Sequence, residues 1–277
     1  VTRYIMIIDG SGTLAHRSGL RYAFENDLSR PMPHTVSVII PCFNAARYLE
    51  RTIASVQAQS FADWEILLAD DASTDGTLEL AHSLAKSDPR IRVLEAIENG
   101  GAARARNRAM QAASGRYLAF LDADDCWRPE KLEHQIAHMQ ATGAALSYTE
   151  FVRHFDDGGS RHVKLPETVN RNTLLRGNLI ACSTAIYDRE QLGLIEMPDV
   201  RMRQDFGLWL RILDQVPMAH GLCEPLTDYT VRTDSLSANK AKALGATWRL
   251  FHDVEGFGAL KSTWLLAQVI AGRLKRG

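Results

Sequence analysis

The chain has 277 residues, of which 45% are hydrophobic and 23% charged, a balance that favours a globular protein with a buried core over a disordered one. Its 32 basic and 33 acidic residues leave a net charge of -1, so the basic excess of a general nucleic-acid binder is missing. Cys42, Cys126, Cys182 and Cys223 are scattered and form no CxxC pair, which argues against a zinc site or a dense disulfide framework and suits a reducing, cytoplasmic setting.

At the N-terminus, VTRYIMIIDGSG has a short apolar run without a charged region or cleavage site, so no signal peptide is expected. IMIIDGSGTL resembles the strand and DxDGT nucleophile motif of haloacid-dehalogenase phosphatases. Ser11 stands where that motif has its second acid, which leaves a departing group without a proton donor. RPMPH, from Arg30 to His34, reads as a break. Residues 1–34 are therefore an extension or arm. No apolar stretch approaches the roughly 20 residues of a membrane span.

After the break, strand and helix signals alternate. VSVII (36–40) is a β-branched run, and 47–59 has helical spacing at Tyr48, Leu49, Ile53 and Val56. EILLA (65–69), IRVLEA (91–96) and YLAFL (117–121) are further strands. TLELAHSLAK (77–86) and AARARNRAMQAA (102–113) are further helices. This alternation predicts a mostly parallel sheet covered on both faces, with ligands at the carboxyl ends of the strands. Those ends carry Asn44, Asp70, Asp71, Asn99, Asp122, Asp124 and Asp125. The second half is less regular. DDGG (156–159) predicts a hairpin turn, CSTAIY (182–187) a strand, and QDFGLWLRIL (204–213) a helix with Asp205 in its first turn.

FLDADD follows a buried strand, where crowded carboxylates repel unless a cation or hydrogen-bond donors compensate. A hard divalent ion bridging diphosphate oxygens would do so. The plainer reading is a solvated loop with capping acids ahead of Pro129. DDASTDGT (70–77) leaves a strand and opens a helix. A carboxylate there can accept from a nucleobase imide, which leans towards uracil, whereas Ser73, Thr74 and Asp75 read as ordinary helix caps. The same segment mimics the start of a calcium loop, but His82 fills the twelfth position where Glu is needed. NGGAARARNRA (99–109) offers a glycine turn entering a helix, a phosphate-binding arrangement. Arg104 and Arg108 are expected on the solvent side, and Arg106 near the ligand.

These stretches together resemble glycosyltransferase family 2 from Val36 to about Phe151, through VSVIIPCFNAARYLE, EILLADDASTDGT, NGGAARARNRAM, YLAFLDADD and WRPEKLEHQI. A weaker likeness continues through RQDFGLWLRIL and EPLTDYTVRTDSLS. The resemblance implies an α/β GT-A fold, Rossmann-like, with a central sheet flanked by helices and a less regular acceptor half. It divides the chain into an extension (1–34), a catalytic domain (35–235, with the nucleotide half at 35–127 and the acceptor half at 128–235) and a helical tail (236–277). It implies a nucleotide-sugar donor, a Mg or Mn ion and inversion at the anomeric carbon. Pro41 and Asn44 match the first nucleotide-contacting motif, Asp71 the base-contacting position, and Asp122 and Asp124 the DxD motif that binds the ribose and the metal–diphosphate; beside these, Arg106 is expected on the nucleotide and Asp125 with Asp124 on the metal. Which of Asp122, Asp124 and Asp125 touches the metal stays open. Asp205 matches the general base.

An inverting transfer needs one base to deprotonate the acceptor and a cation for the leaving diphosphate, which is consistent with a lone carboxylate far along the chain from DADD. One departure stands beside it: Gln204 replaces the family's usual Glu. Arg232 and Ser235 are expected to reach towards the diphosphate, or else to lie on an edge strand and loop. His220 reads as structural. The tail LKSTWLLAQVIAGRLKRG ends in Arg273, Lys275 and Arg276, and is expected either to pack on the domain or to lie peripherally on the inner face of the plasma membrane. The latter suits a lipid-linked rather than a purely glycan acceptor. The alternative to an enzyme is a non-catalytic sugar-nucleotide-binding or scaffold protein. A nucleotidyltransferase is disfavoured because PCFNAARYLE lacks a glycine-rich loop.

Overall fold

VSVII opens β1 (Val36–Cys42), and EILLA lies within β2 (Trp64–Asp70). β1 pairs in parallel with β2, β2 with β3 (Ile91–Glu95), and β1 with β4 (Tyr117–Phe120). The order β3-β2-β1-β4 is therefore a parallel sheet. Between these strands run α1 (Ala46–Gln57), α2 (Thr77–Ser87) and α3 (Ala102–Ala112). All of β2 is buried, as a strand covered on both faces must be. Side chains alternate across the pleat. Val36, Val38 and Ile40 enter a core layer with Leu49, Ile53 and Val56 of α1. Ile39, Leu67 and Phe120 enter a second layer with Ala105, Ala109 and Met110 of α3. This computed structural model describes residues 34–231 and 240–274. All of the N-terminal extension except His34 lies outside that range, as do Arg232, Ser235, Lys275 and Arg276.

The second half adds β5 (Cys126–Trp127), α4 (Lys131–Thr142), β6 (Leu146–Phe155), β7 (Ser160–Val163), β8 (Thr168–Val169) and α5 (Arg171–Leu175). It continues through β9 (Ile186–Asp188), α6 (Arg189–Leu192), α7 (Gln204–Ile212), β10 (Ala219–Val231), α8 (Lys240–Arg249) and α9 (Ala259–Leu274). The sheet runs on as β4-β9-β6-β10-β5. β9 is antiparallel to both β4 and β6, and β10 is parallel to β6. The sheet is thus parallel in its first half and mixed in its second. No described helix is long and apolar enough to cross a membrane.

Two expectations need correcting. Residues 182–187 are not one strand: a 3-10 turn over Cys182–Thr184 precedes β9. Ser183 and Thr184 are fully buried polar residues, and the turn sends the Ser183 hydroxyl and carbonyl to partners outside any ladder. Arg108 does not face solvent. Its Nη2 donates to the carbonyls of Asp70 (2.6 Å) and Leu94 (3.2 Å), tying the carboxyl ends of β2 and β3 together. Arg104 is exposed as expected and pairs with Asp199. The DDGG turn joins β6 to β7, with Gly158 at φ +84°.

A buried polar clasp fixes the start of the sheet. The Ser37 hydroxyl donates to Glu65 Oε1 (2.7 Å) and accepts from the Gly115 N–H (2.8 Å). Ser114 gives Glu65 both its N–H and its hydroxyl at 2.6 Å. Burial pushes the Glu65 carboxyl up, but the hydrogen bonds from Ser114, Ser37 and Arg92 outweigh it and hold it below its usual range. Gly115 lies against this clasp so closely that a Cβ would come within 2.6 Å of the Ser37 backbone nitrogen. Gly115→Ala is therefore expected to lower stability by about 1–3 kcal/mol, read as a lower urea midpoint. An unchanged midpoint would show that the clasp has slack.

Candidate functional site

The carboxyl ends of β1 and β2 carry two loops that hold each other. The Asn44 N–H donates to Ser73 Oγ (3.0 Å), and the Thr74 N–H donates to Asn44 Oδ1 (2.9 Å). Ser73 returns its N–H and hydroxyl to the Asp70 carboxylate. Asp75 accepts from the N–H groups of Thr77 and Ala46. Asp75 and Ser73 thus bind loop to loop, and the N-cap of α2 is Gly76 without a side-chain cap. Among the described residues, three non-glycines have positive φ: Asn44 (50°), Ala72 (61°) and Arg203 (69°). Such conformations persist where surrounding contacts impose them, and they cluster at functional sites. Two of these are in the paired loops, and the third immediately precedes Gln204 and Asp205.

Asp71 is buried, and its two oxygens accept from the N–H groups of Gly100 (2.9 Å) and Gly101 (2.7 Å). A carboxylate offers about four lone-pair sites, so these two bonds leave acceptor capacity. Gly101 sits at φ +88°, ψ 163°, a region open essentially to glycine alone. Asn99 donates to the Asp71 carbonyl and accepts from Arg201, while Arg104 pairs with Asp199. The 199–201 segment of the second half therefore docks on the glycine turn.

The DADD loop leaves β4 with its carboxylates in different surroundings. Asp122, 28% exposed, pairs with the guanidinium of Arg106, which is only 5% exposed. Asp125 is 1% exposed and accepts from the Ser183 hydroxyl (2.5 Å) and the Thr230 N–H (2.8 Å). The Ser183 hydroxyl also accepts from the Asp122 N–H. The Asp124 carbonyl accepts from Arg51 and from the Thr230 hydroxyl. Burial, with Asp122 and Asp124 nearby, pushes the Asp125 carboxyl well above its usual range. A hard cation with oxygen preference fits that donor set. Among the described residues no group of three His, Cys, Asp or Glu side chains converges on one ion position, and His220 joins no such group. Protein carboxylates alone would leave a cation's shell incomplete.

Asp205 opens α7, placed by the left-handed turn at Arg203. Asn178 Nδ2 donates to Asp205 Oδ2 (3.0 Å). Burial raises the Asp205 carboxyl above its ordinary value, and the Asp122 charge adds to this; Arg203, Arg106 and the Phe206 N–H oppose it without cancelling it. Arg106 therefore feels both Asp122 and Asp205. Burial alone would lower its pKa, but surrounding negative charge holds the guanidinium firmly protonated. Its Nε and Nη1 are buried without hydrogen-bond partners, and so is Gln204 Oε1. These polar atoms are spare donors and an acceptor beside the two acids.

Pro41, Asn44, Asp71, Arg106 and Asp122 thus gather around the strand ends and the start of α3, and Asp124 and Asp125 extend from the same loop. Several residues of the site were not singled out from sequence: Ser183, Thr230, Asn178, Arg201 and Arg51. Ser183 and Asn178 come from the less regular second half, and Thr230 from the carboxyl end of the long strand β10. A cavity of about 520 Å³ adjoins the site through Arg51 and Thr230, and is lined also by Arg47, His154 and Asp228 among others.

Comparison with known proteins gives this geometry a family. The model of "Glycosyl transferase family 2" matches residues 37–192. A Bacillus subtilis (strain 168) protein named "Putative teichuronic acid biosynthesis glycosyltransferase TuaG" is 40% identical over 87% of this chain and 96% of its own length. An Escherichia coli protein, "UDP-Glc:alpha-D-GlcNAc-diphosphoundecaprenol beta-1,3-glucosyltransferase WfgD", is 34% identical over 86% of this chain and 94% of its own. The solved structure of S. aureus TarS 1-349 with UDP-GlcNAc has the same fold, at TM-score 0.67 and 19% identity, covering 85% of this chain and 71% of that one. With the parallel nucleotide half, the mixed second half and the full-length relatives in agreement, the chain belongs to glycosyltransferase family 2 and has a GT-A fold.

Proposed function

We propose that the protein is an inverting, metal-dependent transferase that moves a sugar from a UDP-sugar to a hydroxyl of a glycan or lipid-linked acceptor in surface polysaccharide synthesis. Its place is the cytoplasmic side of the membrane, with peripheral contact through the C-terminal tail. The observation that carries this reading is the buried Arg106, paired with Asp122 and within electrostatic reach of Asp205. One cation thereby links the loop suited to a diphosphate with the carboxyl suited to an acceptor. The uridine choice is supported by the UDP-Glc in the Escherichia coli relative's name and by acceptor capacity remaining on Asp71. The acceptor class is supported by the diphosphoundecaprenol in that name and by the teichuronic acid named for the Bacillus subtilis relative.

In this reading Pro41, Asn44, Asp71 and Asp122 line the nucleotide, with Arg106 fixing Asp122. Asp124 and Asp125 would hold Mg or Mn together with diphosphate oxygens, which would add to the ligands that the described residues offer. The bound ion would neutralise charge developing on the leaving diphosphate. Asp205 takes the acceptor proton as that oxygen bonds to the anomeric carbon. The anomeric bond to phosphate breaks as the new one forms, and its electron pair leaves on the nucleoside diphosphate. Asn178 holds one oxygen of Asp205, which fixes the orientation of the carboxylate. The non-catalytic alternative leaves a raised carboxyl beside a buried arginine without a task.

Three outcomes are expected. Asp205→Asn should keep UDP affinity by calorimetry and lose transfer by about 10²–10⁴-fold; normal turnover would remove Asp205 as the base. Because Asp205 must be ionised to accept a proton and its carboxyl is raised, kcat/KM should fall on acidification through a pKa above the ordinary aspartate value of about 4. An acid limb at or below that value would contradict the assignment. UDP binding should weaken in EDTA and recover with Mn, and Asp124→Asn should lose that recovery; metal-independent UDP affinity in the wild type would end the metal claim.

A further inference from the structure

A groove of about 450 Å³ with a mainly apolar lining lies between α9 and the segment that follows α5, with Arg176, Leu179, Gln268 and Ala271 in its walls. Its position is notable for what adjoins it. Leu179 directly follows Asn178, whose amide holds the Asp205 carboxylate. The groove therefore runs up to the segment that orients the proposed base.

α9 is apolar on two sides. Leu265 and Val269 are buried against the domain. On the outer side Leu260 is 91% exposed, Trp264 58% and Ile270 39%. Water-facing helix positions are ordinarily polar, and an outward Trp among aliphatic side chains is the pattern of a helix lying in a lipid interface. The charge near it is positive. Lys261 is exposed on the same helix. Arg176 is exposed in the groove wall and has no carboxylate partner among the described residues. An apolar channel with a cation at its wall complements a ligand with a long hydrocarbon chain and an anionic head.

We propose that this groove receives the lipid end of the acceptor, a polyprenyl phosphate or diphosphate, with Arg176 on the phosphate and the chain against Leu179 and Ala271, while the outer face of α9 rests on the bilayer. This rests on the reading of the protein as a transferase with a lipid-linked acceptor, and adds where the lipid is held. A sugar attached to that head would then lie on the Asn178 side, towards Asp205.

The test is flotation with vesicles of phosphatidylcholine alone, with phosphatidylglycerol added, or with undecaprenyl phosphate added to equal surface charge. Wild type should bind the undecaprenyl phosphate vesicles at least about tenfold better than the phosphatidylglycerol ones. Arg176→Glu and Ala271→Glu should each remove that excess. UDP binding by calorimetry, measured on the same samples, reads folding and the donor side separately, so loss of UDP binding by the wild type would strike the transferase reading and not the groove. As a test without substitutions, undecaprenyl phosphate in detergent should compete for the vesicle-bound protein, whereas inorganic diphosphate should not. Equal binding to both anionic vesicles, or competition by inorganic diphosphate alone, would reduce the surface to a charge effect and overturn the proposal. So would a concentration-dependent dimer, abolished by Trp264→Ser, in a protein that binds no vesicles, because the apolar face would then join two copies of the chain.

Discussion

A guanidinium that is 5% exposed, with two of its nitrogens unpartnered, is costly to bury unless nearby negative charge is itself in need of compensation. Arg106 meets that condition by standing beside Asp122 with Asp205 also in electrostatic reach. Arginine suits this place better than lysine, because its fork stays charged and can address two acids at once. Much of the site follows from this one placement. Asp122 cannot swing freely, and Asp125 of the same loop is buried on the Ser183 hydroxyl and the Thr230 N–H. Asp205 feels the same guanidinium, yet burial still keeps its carboxyl raised.

Around this centre the two halves of the molecule are laced by hydrogen bonds between segments distant in the chain. Ser183 joins Asp122 and Asp125 to the second half, and Thr230 of β10 does the same for Asp125. Arg201 and Asp199 reach the glycine turn and the first turn of α3. The left-handed residues Asn44, Ala72 and Arg203 sit at bends in this lacing. Strain held at such points by surrounding bonds favours a preset geometry over one assembled on binding.

The parallel half was legible because strands covered on both faces must be nearly continuous apolar runs, and VSVII, EILLA and YLAFL are such runs. The acidic residues at the strand ends were legible for a related reason: β topology brings those ends to one rim. What escaped was set by tertiary contacts. Arg108 looks like a surface residue by helical spacing, yet the carbonyls of Asp70 and Leu94 draw it inward. CSTAIY has strand composition, but the demands of Asp125 and Trp127 bend its first three residues into a turn. The left-handed conformation at Arg203 has no sequence mark at all, since arginine carries no preference for it. The departure at Gln204 was visible, but its meaning was not. Its Oε1 is buried and unpartnered, a spare acceptor where an acid would have added charge to Asp205 and Asp122.

The junction between the halves has a consequence for how the molecule opens. β9 is held to β4 by three residue pairs, Tyr117↔Asp188, Leu118↔Tyr187 and Ala119↔Ile186, and its direction is reversed. The ladder is short at this seam, but the core is continuous across it, with Ile39, Leu67 and Phe120 packed in one cluster with Tyr148, Trp209 and Leu210, so the two halves are expected to open together in hydrogen exchange. The register of β3-β2-β1-β4 is nevertheless set by pairings among those four strands alone, so loops of the second half can be remodelled without shifting it.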